Sequence, residues 1–222
     1  MRKIAIYIFV LLSVNMFAQE SYVFDYCMAY EYKNSEDSSS RSKKFIYVNS
    51  SKPGYFLTID HHLEKESSRV ILYDVENNTR IQFVNENSIN QDLVPTASLF
   101  NSPIKSSYNF SDWNKKVEDK YDIIYQSQDN VNKILIKSYT DSKKNQLDSD
   151  IYLILQSHPK LKNQFYVNPA LAFAYKFDIT QVETQDLVAE SYVIKPESNT
   201  KEQIWKLIDV KALDLQIDIP AE

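Results

Sequence analysis

The densest group of ligand-type side chains in the 222-residue chain is Asp60-His61-His62, followed by Glu64 and Glu66. In an extended segment residues 60, 62, 64 and 66 share a face, so His62, Glu64 and Glu66 could meet on one metal ion with His61 adjoining. Imidazole nitrogens and carboxylate oxygens are ordinary zinc donors, and a metal-activated water there would serve a hydrolase. The spacing matches no established zinc pattern, such as two histidines four apart on a helix. It reads first as a polar loop between the third and fourth strands. His158, the third histidine, precedes Pro159 in a turn and joins the group only if folding brings it there.

Other chemistry is thinner. A Ser–His–Asp triad needs no closeness in sequence, so three histidines among many serines and aspartates point to nothing in particular. The acid pairs Glu118/Asp119 and Asp148/Asp150 read as solvated turn residues. Cys27 stands in an aromatic stretch without a local histidine or basic setting, and it reads as a buried small hydrophobe, not a reactive thiol. Gly54 is the only glycine. Phosphate-cradling loops need glycine for close backbone approach, so a Walker loop and a dinucleotide fingerprint are excluded, as is the glycine-flanked serine turn of the hydrolases. Left-handed turn positions then fall mostly to Asn and Asp. No cofactor is implied, and the sequence favours a non-enzymatic protein.

Aromatic residues are the softer clue: 16 Tyr, 11 Phe and two Trp, Trp113 and Trp205. Tyrosine on an extended surface can bind sugars or lipids through its ring and edge hydroxyl. Its commoner role is core and cross-strand pairing.

The elements that would position these residues are short strands separated by polar turns. Tyr22 to Lys33 is extended, and strict alternation places Tyr22, Phe24, Tyr26, Met28, Tyr30 and Tyr32 on one face. Residues 34–43 form a flexible polar loop, Phe45 to Val48 a second strand, Lys52-Pro53-Gly54 a turn and Tyr55 to Asp60 a third strand. Arg69 to Tyr73 and Arg80 to Val84 form a hairpin through Glu76-Asn77-Asn78. Residues 85–118 are irregular, broken by Pro95 and Pro103, and have the length of a lid. Tyr121 to Gln126 and Val131 to Tyr139 make another hairpin. A polar run, 141–150, leads to a strand from Ile151 to Gln156. Asn168-Pro169 opens a short helix through Ala174. Leu187 to Lys195 and Ile204 to Ile219 complete the strands, with Leu213, Leu215, Ile217 and Ile219 alternating against polar residues. The predicted fold class is mostly β: a single large antiparallel, curved sheet, meander or half-barrel, with one or two short helices.

The N-terminus carries the signature of a secretory leader. Arg2 and Lys3 precede an apolar run from Ile4 to Val14, too short to span a membrane, and Ala18 is a small residue suited to the cut. The expected division is a signal peptide over 1–18 and one β-rich extracytoplasmic domain over 19–222, periplasmic or secreted and soluble. Cys27 lies too far along to be a lipid-anchored cysteine, and no second apolar run is long enough to span a membrane. The formal charge is −5, and loss of Arg2 and Lys3 makes it about −7. That balance gives no support to nucleic-acid binding, which needs concentrated positive surface. One cysteine allows no internal disulfide, so packing alone must hold the domain.

The segment Val70-Ile71-Leu72-Tyr73-Asp74, followed by Val75-Glu76-Asn77-Asn78-Thr79-Arg80-Ile81, resembles a hairpin of the lipoprotein-carrier-like half-barrel proteins, where a strand ending in Tyr-Asp turns and returns. Phe17-Ala18-Gln19 is similar to the leader ends of small secreted β proteins of Bacteroidota. The first resemblance implies a curved sheet that holds acyl chains under a helical lid. The chain departs from that family over residues 34–66, where helix is expected and little is signalled, and no site residue carries over. Three readings follow: a curved sheet binding a lipid or other amphiphile, a cell-surface structural domain with an envelope protein partner, and a metal-dependent hydrolase using His61, His62 and Glu64.

Overall fold

The computed structural model describes residues 20–62, 67–83, 100, 103–107, 121–128, 131–161 and 186–219. They form one curved, open, eleven-stranded antiparallel sheet. The strands are β1 (Glu20–Ser35), β2 (Arg41–Val48), β3 (Tyr55–His62), β4 (Ser67–Asp74), β5 (Thr79–Phe83), β6 (Pro103–Ser107), β7 (Tyr121–Gln128), β8 (Val131–Tyr139), β9 (Leu147–Gln156), β10 (Leu187–Ile194) and β11 (Lys201–Ile219). Their order is β6-β5-β4-β3-β2-β1-β11-β10-β9-β8-β7. Two meanders therefore run outward from the central pair, β1 and the long last strand β11. The expected fold class is the one observed. The predicted helix from Asn168 lies outside the described residues, as does most of 85–118.

The central ribbon is bent. The β1–β11 register shifts between Phe24 and Tyr26, and pairing of β1 with β2 starts only at Tyr26. Tyr22 and Phe24 pack in one cluster with Leu57, Val70, Leu72 and Ile81, together with Ile217 and Ile219 of β11. Tyr26, Met28, Tyr30 and Tyr32 pack in another, with Ile46, Phe56 and Trp205. The expectation that all six residues share a face is thus wrong. An irregularity in the ladder changes the side to which side chains point, and periodicity alone cannot see it. Asp25 sits at the bend and accepts hydrogen bonds from Ser50 N (2.7 Å) and Ser50 Oγ.

Beyond the bend, β1 has lost its β2 neighbour, and its backbone groups find other partners. Tyr55 Oη accepts from Val23 N (3.3 Å) and donates to Val23 O (2.9 Å), while Asn49 Nδ2 also donates to Val23 O (2.9 Å). The arm lies across β3–β6. There Tyr22 Oη donates to Asp74 Oδ2 (2.9 Å) and Glu20 pairs with Lys105 (2.8 Å). Both faces of β1–β4 are consequently buried.

Turns explain most of the remaining differences. The β4–β5 hairpin is as predicted. Asp74 accepts from Asn77 N (2.9 Å) and Asn77 Nδ2 (2.8 Å), and Asn78 takes the left-handed conformation at φ 49°. Asn199 does the same, but Lys144 and Gln203 fill the other two left-handed positions among the described residues, and Gly54 none. Residues 34 and 35 and 41–43 are strand, not loop, because the ladder continues through Lys33 and Arg41. Likewise β9 begins at Leu147 inside the polar run. Strand β6 falls inside the stretch read as irregular. Every residue in it is exposed, so it has no apolar alternation to detect, and Pro103 is tolerated as the first residue of an edge strand.

Burial and Asp74 hold the Tyr22 phenol well above its ordinary value of 10.0. The folded state keeps it neutral, so its contribution is intact below that value and is lost as pH rises past it. Urea unfolding of wild type should show a loss of stability above about pH 10 that is smaller in Tyr22→Phe. At neutral pH, Tyr22→Phe should cost about 1–2 kcal/mol and Asp74→Ala about 2–4 kcal/mol, because Asp74 serves both the arm and the turn. Equal stability of wild type and Asp74→Ala would contradict this.

Candidate functional site

Residues directly opposite each other on antiparallel neighbours project to the same side, so the registers trace one face across the sheet. One row runs Arg80–Tyr73–Phe56–Val48–Tyr26 from β5 to β1. The next runs Gln82–Ile71–Thr58–Ile46–Met28–Val210. On the other side of the centre, Tyr32 and Trp205 continue through Ser191 and Leu153 to Ile134 and Tyr125. Ile136 pairs with Ile123 and Ile151 alongside. Aromatic and aliphatic side chains thus form one face from β4 to β7.

Charges on this face are confined. Lys44 and Asp60 pair with each other at 3.0 Å, and Arg69 and Arg80 stand at β4 and β5. Ring contacts order the surface. Phe56 stacks on Tyr73 (4.9 Å between centroids, 23°), and Tyr32 lies against Trp205 (4.7 Å). Tyr30 Oη donates to Val188 O at 3.0 Å, reaching over β11 to β10. A register shift on β11 opposite Ala29 and Tyr30 leaves Leu207 and Val210 both facing this cluster. Tyr26, Tyr32 and Tyr73 are only partly buried. At the flanks Tyr125 is 49% exposed and Ile104 57%.

The reverse side of β8–β11 is different. Leu135, Tyr152 and Tyr192 form a cross-strand row, with Tyr152 stacked on Tyr192 (5.0 Å, 17°) and Lys201 Nζ over the Tyr192 ring at 4.4 Å. Lys137, Asp150, Lys133 and Glu190 flank it. This is an alternating, solvent-type surface, and the contrast singles out the aromatic face.

Of the residues considered for metal binding, Asp60 and His158 are described with their side chains. His61 and His62 end β3, at register positions opposite Ser68 and Ser67. Glu64 and Glu66 lie outside the described residues. Asp60 is engaged by Lys44. His158 Nδ1 accepts from Leu161 N (3.0 Å) and Lys160 N (3.3 Å), and its ring meets the edge of Tyr26 at 5.7 Å. It closes a turn beneath Leu161, which is itself buried against Met28, Tyr30 and Phe56. Among the described residues no group of three or more His, Cys, Asp or Glu could hold a metal ion. Among them also, no helix is long and apolar enough to cross a membrane, which says nothing of strands.

Arg80 had no functional role in the sequence reading, although one signal for it was available. A four-residue loop after Asp74 fixes Tyr73 opposite Arg80, which puts a cation at the end of an aromatic row.

No protein family matches the chain, and no curated protein is similar to it. Among solved structures it is similar to a LolA superfamily protein from Nitrosomonas europaea, at 11% identity over 90% of this chain and 89% of that one, with a TM-score of 0.32. It is also similar to a DUF1329 family protein from Desulfovibrio piger, at 7% identity over 91% and 89%, with a TM-score of 0.20. At these TM-scores neither likeness carries an argument about ligand or activity, and the site is read from its own residues.

Cys27 lies on the opposite face, 1% exposed, and burial pushes its thiol up to about 12. A disulfide reagent such as Ellman's, applied at about pH 8, should find no reactive thiol in the native protein and one after denaturation. Rapid labelling of the folded chain would contradict the burial.

Proposed function

We propose that the chain is a non-enzymatic binding protein of the extracytoplasmic space that holds an apolar or amphiphilic ligand on the aromatic face. The observation that carries this reading is the extent of that face. Its apolar rows cross from β4 to β7 with charge confined to Lys44, Asp60 and the β4–β5 arginines. Tyr26, Tyr32 and Tyr73 are partly buried at the rim of a floor made by the buried Met28, Tyr30, Ile46, Val48 and Phe56. A largely buried apolar cluster rimmed by partly buried rings, with few charges, suits acyl chains, since burying each methylene is worth about 0.8 kcal/mol. A chain of roughly a dozen methylenes then offsets the entropy lost on association, estimated at about 4–15 kcal/mol. The leader-like N-terminus supports the location, and the half-barrel resemblance supports the ligand class.

Two measurements test the reading. Native mass spectrometry of gently purified protein should show added masses that organic extraction removes. After extraction, the neutral probe N-phenylnaphthylamine should brighten on binding, and fatty alcohols should displace it. Each added methylene should improve displacement up to about fourfold while the chain remains buried. A clean apo mass with no probe binding would overturn the proposal and favour a packed surface domain that docks protein.

A further inference from the structure

Of the two arginines on the aromatic face, Arg69 is exposed and Arg80 keeps a buried N–H without a hydrogen-bond partner. Arg80 stands opposite Tyr73 at the β5 end of the row that continues through Phe56 and Val48. Its Nη2 donates to Gln82 Oε1 at 3.1 Å. Its Nε is buried and has no hydrogen-bond partner. No carboxylate pairs with Arg80 among the described residues. A guanidinium always carries its charge, and a buried N–H without an acceptor is costly to maintain. The planar fork of Arg matches the two oxygens of a carboxylate or phosphate.

We infer that Arg80 is the head-group anchor of the site, and that the amphiphile bears an anionic oxygen head bound at the guanidinium while its chain starts along the partly buried Tyr73. This rests on the amphiphile-binding reading and adds the charge and direction of the ligand. The chain is acidic overall, at −5, so its general field repels anions. Selection of one must come from a local cation set in an apolar surround, where a charge–charge contact is little screened.

Displacement of N-phenylnaphthylamine by oleate, by oleoyl lysophosphatidylglycerol and by oleyl alcohol tests the assignment. At least one of the two anions should outcompete the alcohol in wild type, and the stronger one distinguishes a free fatty acid from a phospholipid source. Arg80→Gln should weaken that anion by about tenfold, the loss of one charge-assisted contact, and leave the probe and the alcohol unchanged. Arg80→Lys should keep part of the preference. If Arg80→Gln fails to fold, Arg80→Lys decides alone, and unaltered anion binding in it overturns the assignment. Equal displacement by all three amphiphiles, or an anion preference untouched in Arg80→Gln, also overturns it. Failure of the wild type to bind the probe and the alcohol would instead refute the amphiphile-binding reading.

Discussion

The bend at Asp25 is the constraint on which the architecture depends. A single strand cannot bury all its apolar residues on one side of a sheet and also supply a second core. By changing sides between Phe24 and Tyr26, β1 does both. Its first arm, paired with the end of β11, closes over β3–β6 and makes a packed interior. Its second arm joins the aromatic face to β10 and the meander beyond. Ser50 fixes the bend by donating twice to Asp25, and Tyr55 and Asn49 replace the backbone partners that β2 does not provide. Without that replacement the arm would expose unpaired amides and carbonyls, which a buried strand end does not tolerate.

Division of labour between the two faces follows. The cluster closed by the arm is filled by side chains, Phe24, Leu57, Val70, Leu72 and Ile81 among the most buried. It supplies stability in a chain whose single cysteine lies free and buried. The aromatic face has its own buried floor, Met28, Tyr30, Ile46, Val48 and Phe56, with Tyr26, Tyr32 and Tyr73 partly buried around it.

Much of this was legible in the sequence, and the failures share a cause. Hairpins with Asn at the turn, such as Glu76-Asn77-Asn78, announce themselves because few residues adopt a left-handed φ cheaply. The alternation of Leu213, Leu215, Ile217 and Ile219 announced the end of β11. The change of side at Asp25 was invisible, because period-2 counting assumes an unbroken ladder. Strand β6 was invisible because an exposed edge strand needs no apolar pattern. Functional residues were harder still. The eye goes to His61, His62 and Glu64, whose types suggest chemistry. Arg80 looks like an ordinary hairpin cation until the register sets it beside Tyr73.

The central claim is that acyl chains occupy the aromatic face, and Trp205, lying against Tyr32 on that face, can report on it directly. Trp113 is the only other tryptophan, so a Trp113→Phe chain isolates the signal. Bromine on an acyl chain quenches indole only at near contact. Titration with a brominated fatty acid should quench Trp205 fluorescence saturably, and excess unbrominated acid should restore it. Fluorescence unchanged in a folded Trp113→Phe protein, at concentrations where the fatty acid displaces N-phenylnaphthylamine, would place the ligand elsewhere and contradict the account.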